Sequence, residues 1–286
     1  MLSRISWPAF PTEDVLNGIS KTVRNDEMKR VCIQALNYPE VFRHLLALVE
    51  AINRQAHVPI SISCQPLKSE NLKQLVEAGV ERIGIPLDAA TEELFDKTKG
   101  VCVGSAYVWK NQFNLLSEAV DIFGKGRVST HLIVGLGETE RQMVYVIQRC
   151  VNIGVLLALF AFTPIPGTAL ERNVQPPIQT YRRIQIARFL IVNGIVRCED
   201  MSFDDKDRII SLGVSEQVLL QTIRTMKPFL TSGCPSCNRP YYNEKPSGPI
   251  YNFPRGLTDE EGFEIQKQVE LMWPLQQEQS KNLSAG

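Results

Sequence analysis

Four short stretches hold residues whose types and spacing could do chemistry. HLIVGLGETE (131–140) sets two glycines directly after a β-branched run and an acid at the opening of the next amphipathic segment. Gly135 and Gly137 would let backbone approach a ligand closely, and with Glu138 they could form a polar edge for a nucleobase. The same residues could be a tight βα turn, with Glu138 beside a helix N-terminus where its charge suits the dipole. The stretch lacks the GK[ST] ending of a phosphate-binding P-loop. IGIPLDAATEELF (83–95) closes a strand on Asp88. A carboxylate there can accept both hydroxyls of a ribose, or it can stabilise a turn. FTPIPGTALE (162–171) follows another strand with Pro164, Pro166 and Gly167, either the rigid wall of a pocket or a fixed turn. TSGCPSCNRPYYNEKPSGP (231–249) carries Cys234 and Cys237 with CxxC spacing in a loop rich in Gly, Pro, Ser and Asn. That spacing is half a metal site. Zinc normally takes four protein ligands, and iron–sulfur clusters take three or four thiolates. Cys198, at an expected strand end beside two acids, and Ser232 are the nearest guesses for a further ligand; unbound surface thiols are the alternative.

These stretches need a scaffold, and composition bounds what it can be. The chain has 286 residues, 44% hydrophobic and 22% charged, ordinary globular values that allow one large core or two modest ones. Thirty-one basic residues balance thirty-one acidic ones, so no global field draws in nucleic acid or an anionic membrane surface. The longest apolar run, Val155 to Phe162, has the length of a buried strand and not of a membrane span. The opening MLSRISWPAF is too short and too polar for a signal peptide, and a cytoplasmic protein is expected. Seven cysteines, an odd and scattered set, do not suggest a disulfide framework. Cys32, Cys64 and Cys150 sit in apolar surroundings and read as small core residues.

Strands and helices alternate along the chain. Strands are expected at 31–36, 58–63, 82–87, 127–135, 155–162 and near 195–201, and helices at 40–55, 69–79, 91–98, 108–124, 138–154, 178–194 and 257–273. Ser69 reads as an N-cap and Gly79 as a stop. Alternation of this kind implies an α/β fold with a parallel sheet and right-handed crossovers, as a barrel or doubly wound sheet. Chemistry in such folds lies at the C-terminal ends of the strands, where Asp88, Gly135 to Glu138 and Pro164 fall; Asn37 and Tyr38 share that position without a clear role. Composition changes near Pro228, which divides the chain into a barrel-like region, 1–227, and a C-terminal cysteine-bearing loop and helix, 228–286.

Taken together, the motifs resemble the radical S-adenosylmethionine (SAM) superfamily and its biotin and lipoyl synthase branch. HLIVGLGETERQ looks like the fifth-strand motif beside the SAM adenine, IPLDAATEELF like the segment whose acid binds the SAM ribose, and FTPIPGTALE like the sixth-strand segment near SAM. VCIQALNYPE holds the second-strand position without the usual Gly-Gly-Glu character. The tail SGCPSCNRPYYNEKPSGPIYNFPR and the segment RCEDMSFD are similar to two-component, archaeal-type lipoyl synthases. The resemblance runs from about Trp7 to Arg255.

It implies a partial TIM-like (β/α)6 barrel lacking its first strand. Asp88, Gly135, Gly137, Glu138 and Pro164 would meet SAM, and Cys234 and Cys237 would hold an auxiliary [4Fe-4S] cluster on a tail folded over the barrel mouth. The implied reaction is sulfur insertion into an octanoyl chain on a carrier protein, with a ferredoxin-type electron donor and a companion lipoyl synthase subunit. The CxxxCxxC that holds the catalytic cluster in relatives does not occur in this sequence. It would lie upstream of the segment matching ISWPAF, so the chain is expected to be truncated or split. A non-catalytic iron–sulfur or zinc scaffold, and a biotin-synthase-like enzyme with another substrate, are the competing readings.

Overall fold

The computed structural model describes residues 8–234 and 248–270. Five parallel strands form one sheet in the order β1 (Val31–Gln34), β2 (Ile60–Ser63), β3 (Val80–Gly84), β4 (Val128–Val134) and β5 (Leu156–Ala161). Each strand lies beside its neighbour in sequence, with registers such as Cys32 to Ser61, Ser61 to Arg82 and Ser129 to Leu156. The connections run through α2 (Val41–Gln55), α3 (Ser69–Glu77), α4 (Glu92–Thr98) with α5 (Trp109–Phe123), and α6 (Glu140–Asn152); α1 (Thr12–Arg24) precedes β1 and α7 (Ile178–Val192) follows β5. This is the α/β, partial-barrel arrangement expected.

Side-chain alternation shows which face meets the helices. In β4, Val128, Thr130, Leu132 and Val134 are buried while Ser129, His131 and Ile133 are half-buried, the period of two that a strand with one packed face requires. Val146, Ile147 and Cys150 of α6 and Leu116, Ala119 and Phe123 of α5 belong to the same core as these β4 residues. The opposite face curls around a cavity of about 570 Å³, lined by residues from all five strands.

The strands fall within a few residues of expectation, with one exception. Residues 195–201 form a 3-10 turn at Cys198–Asp200, and the chain then enters a small antiparallel pair, β6 (Ser202–Phe203) and β7 (Ile209–Ser211). The Cys198 N–H donates to Gln148 Oε1 of α6 at 3.1 Å, a side-chain partner in place of a sixth parallel ladder. The pair is held by a buried carboxylate. Glu140, 4% exposed, accepts from Arg183 of α7 and from the Ile209 N–H at 2.8 Å. Two helices were not expected, α1 and α8 (Glu216–Arg224). Ser69 begins α3 but does not cap it; its hydroxyl donates to Glu118.

Among the described residues no further strand of the sheet lies past β5, so the outward carbonyls of this edge need other donors. Arg188 Nε donates to the Leu157 carbonyl at 2.6 Å and Asn252 Nδ2 to the Leu159 carbonyl at 3.3 Å. Asn252 is carried by a segment that pairs with the chain after α8: the Thr231 N–H donates to Phe253 O at 2.8 Å, and the Phe253 N–H to Phe229 O at 2.9 Å. Arg182 of α7, 2% exposed, fixes this segment by donating to the carbonyls of Tyr251 (2.6 Å) and Ile250 (2.7 Å), to Gln185 Oε1 (2.7 Å), and to Gln268 Oε1 (3.1 Å) of α9 (Asp259–Glu270). Removing a buried charged donor strands its acceptors, so Arg182→Ala is expected to destabilise the protein by about 3 kcal/mol. The midpoint of urea unfolding checks this; a change within about 0.5 kcal/mol, the size usual for a surface substitution, would contradict it.

Candidate functional site

The C-terminal ends of the strands gather the positions expected from the sequence to meet SAM. Beyond β3 the chain keeps a parallel bridge between Asp88 and Leu132. The Asp88 N–H donates to His131 O at 3.0 Å, and the Ile133 N–H to Asp88 O at 2.7 Å. These bonds hold Asp88 at φ +67°, a conformation Asp tolerates better than most residues. Its carboxylate accepts from Lys99 Nζ at Oδ2, 2.8 Å, and lies 2.8 Å from His131 Nε2 at Oδ1. Lys99 also donates to Pro86 O at 2.8 Å and sits 5.5 Å from the Tyr107 ring centroid. Tyr107 accepts from Asn37 Nδ2 at 2.9 Å, which brings the second-strand position into the same cluster.

Burial pushes the Asp88 carboxyl up, but the facing His131 and Lys99 outweigh it and hold the group well below the usual carboxylate range. His131 lines the cavity and stacks on Phe160 of β5, with centroids 4.6 Å apart. It therefore joins Asp88 at the rim to the cavity below. His131 opens the HLIVGLGETE stretch, yet nothing in its local sequence signals the pairing, which is a contact across the β3–β4 ladder.

The glycine turn has a clear local cause. Glu138 folds back to accept from the Gly135 N–H at 2.7 Å and the Leu136 N–H at 3.0 Å. Burial raises its carboxyl pKa, partly opposed by these backbone donors. Gly135, at φ +104°, packs so closely that an added Cβ would stand 3.0 Å from Pro176 and 3.2 Å from Phe162; at Gly137, φ +121°, it would meet only Leu94. The cap of α6 is Thr139, in a reciprocal box with Gln142. Pro164 is half-buried, three residues past β5. Asp88, Gly135 to Glu138 and Pro164 thus share one end of the sheet. Gln65, two residues past β2, adds a buried Oε1 that accepts no hydrogen bond among the described residues, an opening for a ligand donor.

The thiol end lies elsewhere. Cys234 Sγ is 3.4 Å from Ser61 Oγ, near the start of β2, and Ser61 accepts from Arg30 Nη1 at 3.0 Å. Following the registers across to β4, this level is about 16 Å below Asp88 at the usual rise per residue. Thr231 to Cys234, the described start of the tail, therefore meet the concave face toward the N-terminal ends of the strands. Cys237 lies outside the described residues.

Cys198 is buried against Gln148 and lines a second cavity with Trp109, Arg149 and Glu199, apart from the one holding Cys234. Burial, with Glu199, pushes its thiol up to about 11, which disfavours a ligand role. Cys64 and Cys150 are core residues whose thiols burial raises to about 12. Cys32, expected in the core, is exposed on the concave face instead, because this side of β1 lines the cavity.

A partial parallel barrel with a polar cluster at its strand ends defines the class of the protein. The match to the Radical SAM superfamily covers residues 3–150, just over half the chain, and the protein belongs to that superfamily. Its members in general take SAM and a [4Fe-4S] cluster. No curated protein matches the sequence.

Among solved structures, the [FeFe]-hydrogenase maturase HydG from Carboxydothermus hydrogenoformans is similar at 14% identity and TM-score 0.52, over 67% of this chain and 46% of that one. Another HydG structure is similar at 12% identity and TM-score 0.51, over 66% and 44%. Methylornithine synthase PylB is similar at 14% identity and TM-score 0.49, over 79% and 74%. The two HydG likenesses are likenesses of fold, and the chain spans less than half the length of those chains. Among the described residues no helix is long and apolar enough to cross a membrane.

The residues present do not fit the superfamily's catalytic cluster. The sequence has no CxxxCxxC, and the described residues hold no group of three or more His, Cys, Asp or Glu able to bind a metal. For SAM, the buried Gln65 acceptor and the open backbone at Gly137 fit, while Asp88 reaches a ligand only by sharing oxygens that Lys99 and His131 already use.

The depressed Asp88 pKa has a sign. Its contribution to stability is fully present above the unfolded value near 3.9 and is lost as pH falls through the lower folded value. Asp88→Asn should therefore cost more stability at pH 7 than at pH 2, compared by urea midpoints against wild type; a difference independent of pH would contradict the ion pairing.

Proposed function

We propose that this chain supplies the SAM- and substrate-binding barrel of a radical SAM sulfur-inserting enzyme of the lipoyl synthase type. Its substrate would be an octanoyl group on a carrier protein, and an auxiliary iron–sulfur centre would be held in part by Cys234 and Cys237. The observation that carries the reading is the single cavity that runs from His131, bonded to Asp88, down to Cys234. A chain placed there would have the cofactor end above it and a sulfur-bearing tail below it.

In this reading the protein's own residues do the positioning. Asp88, held by Lys99 and His131, offers its carboxylate edge to the ribose. Gly135 to Gly137, locked by Glu138, presents backbone to the adenine, and Pro164 walls the pocket. Leu156, Ala158 and Phe160 of β5 give the cavity an apolar side suited to an acyl chain and to keeping water from it. SAM supplies the radical chemistry when bound. The ligands for the cluster that reduces it would come from outside this sequence, by way of a companion subunit, with a ferredoxin-type donor feeding electrons.

A second reading, a non-catalytic iron–sulfur or zinc scaffold, is favoured by the saturation of Asp88. Calorimetric titration with SAM separates the two. The enzyme reading predicts measurable binding by the full chain and about tenfold weaker binding by Asp88→Ala, roughly 1.4 kcal/mol. Failure of the wild-type chain to bind SAM would favour the scaffold. Mass analysis of products from an octanoylated carrier peptide, with the companion subunit added, then tests sulfur insertion; unchanged peptide alongside SAM cleavage would point to another substrate.

A further inference from the structure

We propose that Cys32 joins Cys234 as a ligand of one iron–sulfur centre on the concave face, beside Ser61 at the N-terminal ends of β1 and β2. The inference deepens the reading of Cys234 as a metal ligand and rests on it. Three observations carry it.

The first is convergence. Cys32 and Cys234 come from a strand and from the chain after α8, yet both line the same cavity. Cys32 is the register partner of Ser61, and neighbouring strands lie about 4.8 Å apart, with partner side chains on the same face. Cys234 Sγ is 3.4 Å from that Ser61 hydroxyl. The two sulfurs therefore flank one hydroxyl, separated by no more than about 8 Å on these spacings, a gap that a multi-iron cluster fills more readily than a single ion with bonds of about 2.3 Å.

The second is access. Cys64 and Cys150 are sealed in the core, whereas Cys32 is exposed and Cys234 half-buried, both lining the cavity. Arg30 and Arg82, which line it too, are ion-paired with Glu81, and Arg30 also donates to the Ser61 hydroxyl beside Cys234. Each thiol would release its proton to solvent as the metal binds.

The third is ligand chemistry. Among the described residues lining the cavity there is no Asp or Glu. Sulfur donors with serine hydroxyls and no carboxylate select thiophilic metals over Mg²⁺ or Ca²⁺.

The test uses the full 286-residue chain, loaded anaerobically with ferrous iron and sulfide. Bound iron, acid-labile sulfide and zinc are measured, and iodoacetamide labelling is mapped by peptide mass spectrometry. Iron loading is expected to shield Cys32 and Cys234 while Cys102, exposed and outside the cavity, stays reactive. Cys32→Ala should lower bound iron by about half or more, as expected for loss of a thiolate ligand, with unchanged far-UV circular dichroism. Cys32→Ser, close in volume, repeats the test should the alanine variant misfold. Full iron in both Cys32 variants with low iron in Cys234→Ala would overturn the role of Cys32 and leave the auxiliary centre standing. Full iron in Cys234→Ala as well would overturn the auxiliary centre itself. Zinc uptake without iron and sulfide would overturn the iron–sulfur assignment.

Discussion

An open parallel sheet must satisfy the backbone groups of its edge, and much of this molecule follows from how β5 does so. Its outward carbonyls at Leu157 and Leu159 are met by side chains, Arg188 from α7 and Asn252 from the C-terminal segment. Side-chain donors protect the edge without adding a strand that could pair with another molecule. Arg182 grips the carbonyls of Ile250 and Tyr251, and Gln185 and Tyr181 bond Asn252 itself, which holds Asn252 against Leu159; the pairing of 229–231 with 253 then directs Thr231 to Cys234 toward the concave face. The placement of the cysteine is thus a consequence of covering the edge.

The same sheet separates two chemistries by its length. At the C-terminal ends of the strands, Asp88 is charged, ion-paired and anchored on both sides by backbone bonds to β4. At the other end, arginines and hydroxyls surround sulfur. His131 belongs to both regions, since its ring lines the cavity while its Nε2 meets Asp88. A polar cluster held this rigidly is a preorganised binding edge, with little reorganisation left for a ligand to impose. A ligand at Asp88 would share the carboxylate with Lys99, so Lys99 would tune affinity there.

What the sequence made legible was whatever depends on neighbours in the chain. The β-branched runs became β1 to β5, and the GLGE turn took the tight form its glycines allow, because both are set within a few residues. The helices α1 and α8 escaped notice although Leu16 and Ile19, and Leu219 and Ile223, stand at helical spacing and are buried; their polar neighbours weakened the pattern. The run at 195–201 had strand-like residues, but Gln148, far upstream, captures the Cys198 N–H. The partners of Asp88 were invisible for the same reason: His131 is a strand away and Lys99 lies beyond α4. Cys32 looked like a core residue because its neighbours in sequence are apolar, and only the curl of the sheet reveals that its face of β1 is open.

The central claim is that the C-terminal segment delivers Cys234 to the concave face beside β2. Disulfide trapping tests it most directly, using Ser61→Cys in a Cys32→Ser background, mild oxidation, and peptide mass spectrometry under non-reducing conditions. With Ser61 Oγ and Cys234 Sγ 3.4 Å apart, the account predicts that the peptide containing position 61 becomes linked to the one containing Cys234. Oxidation that leaves the thiol introduced at position 61 unpaired would contradict it.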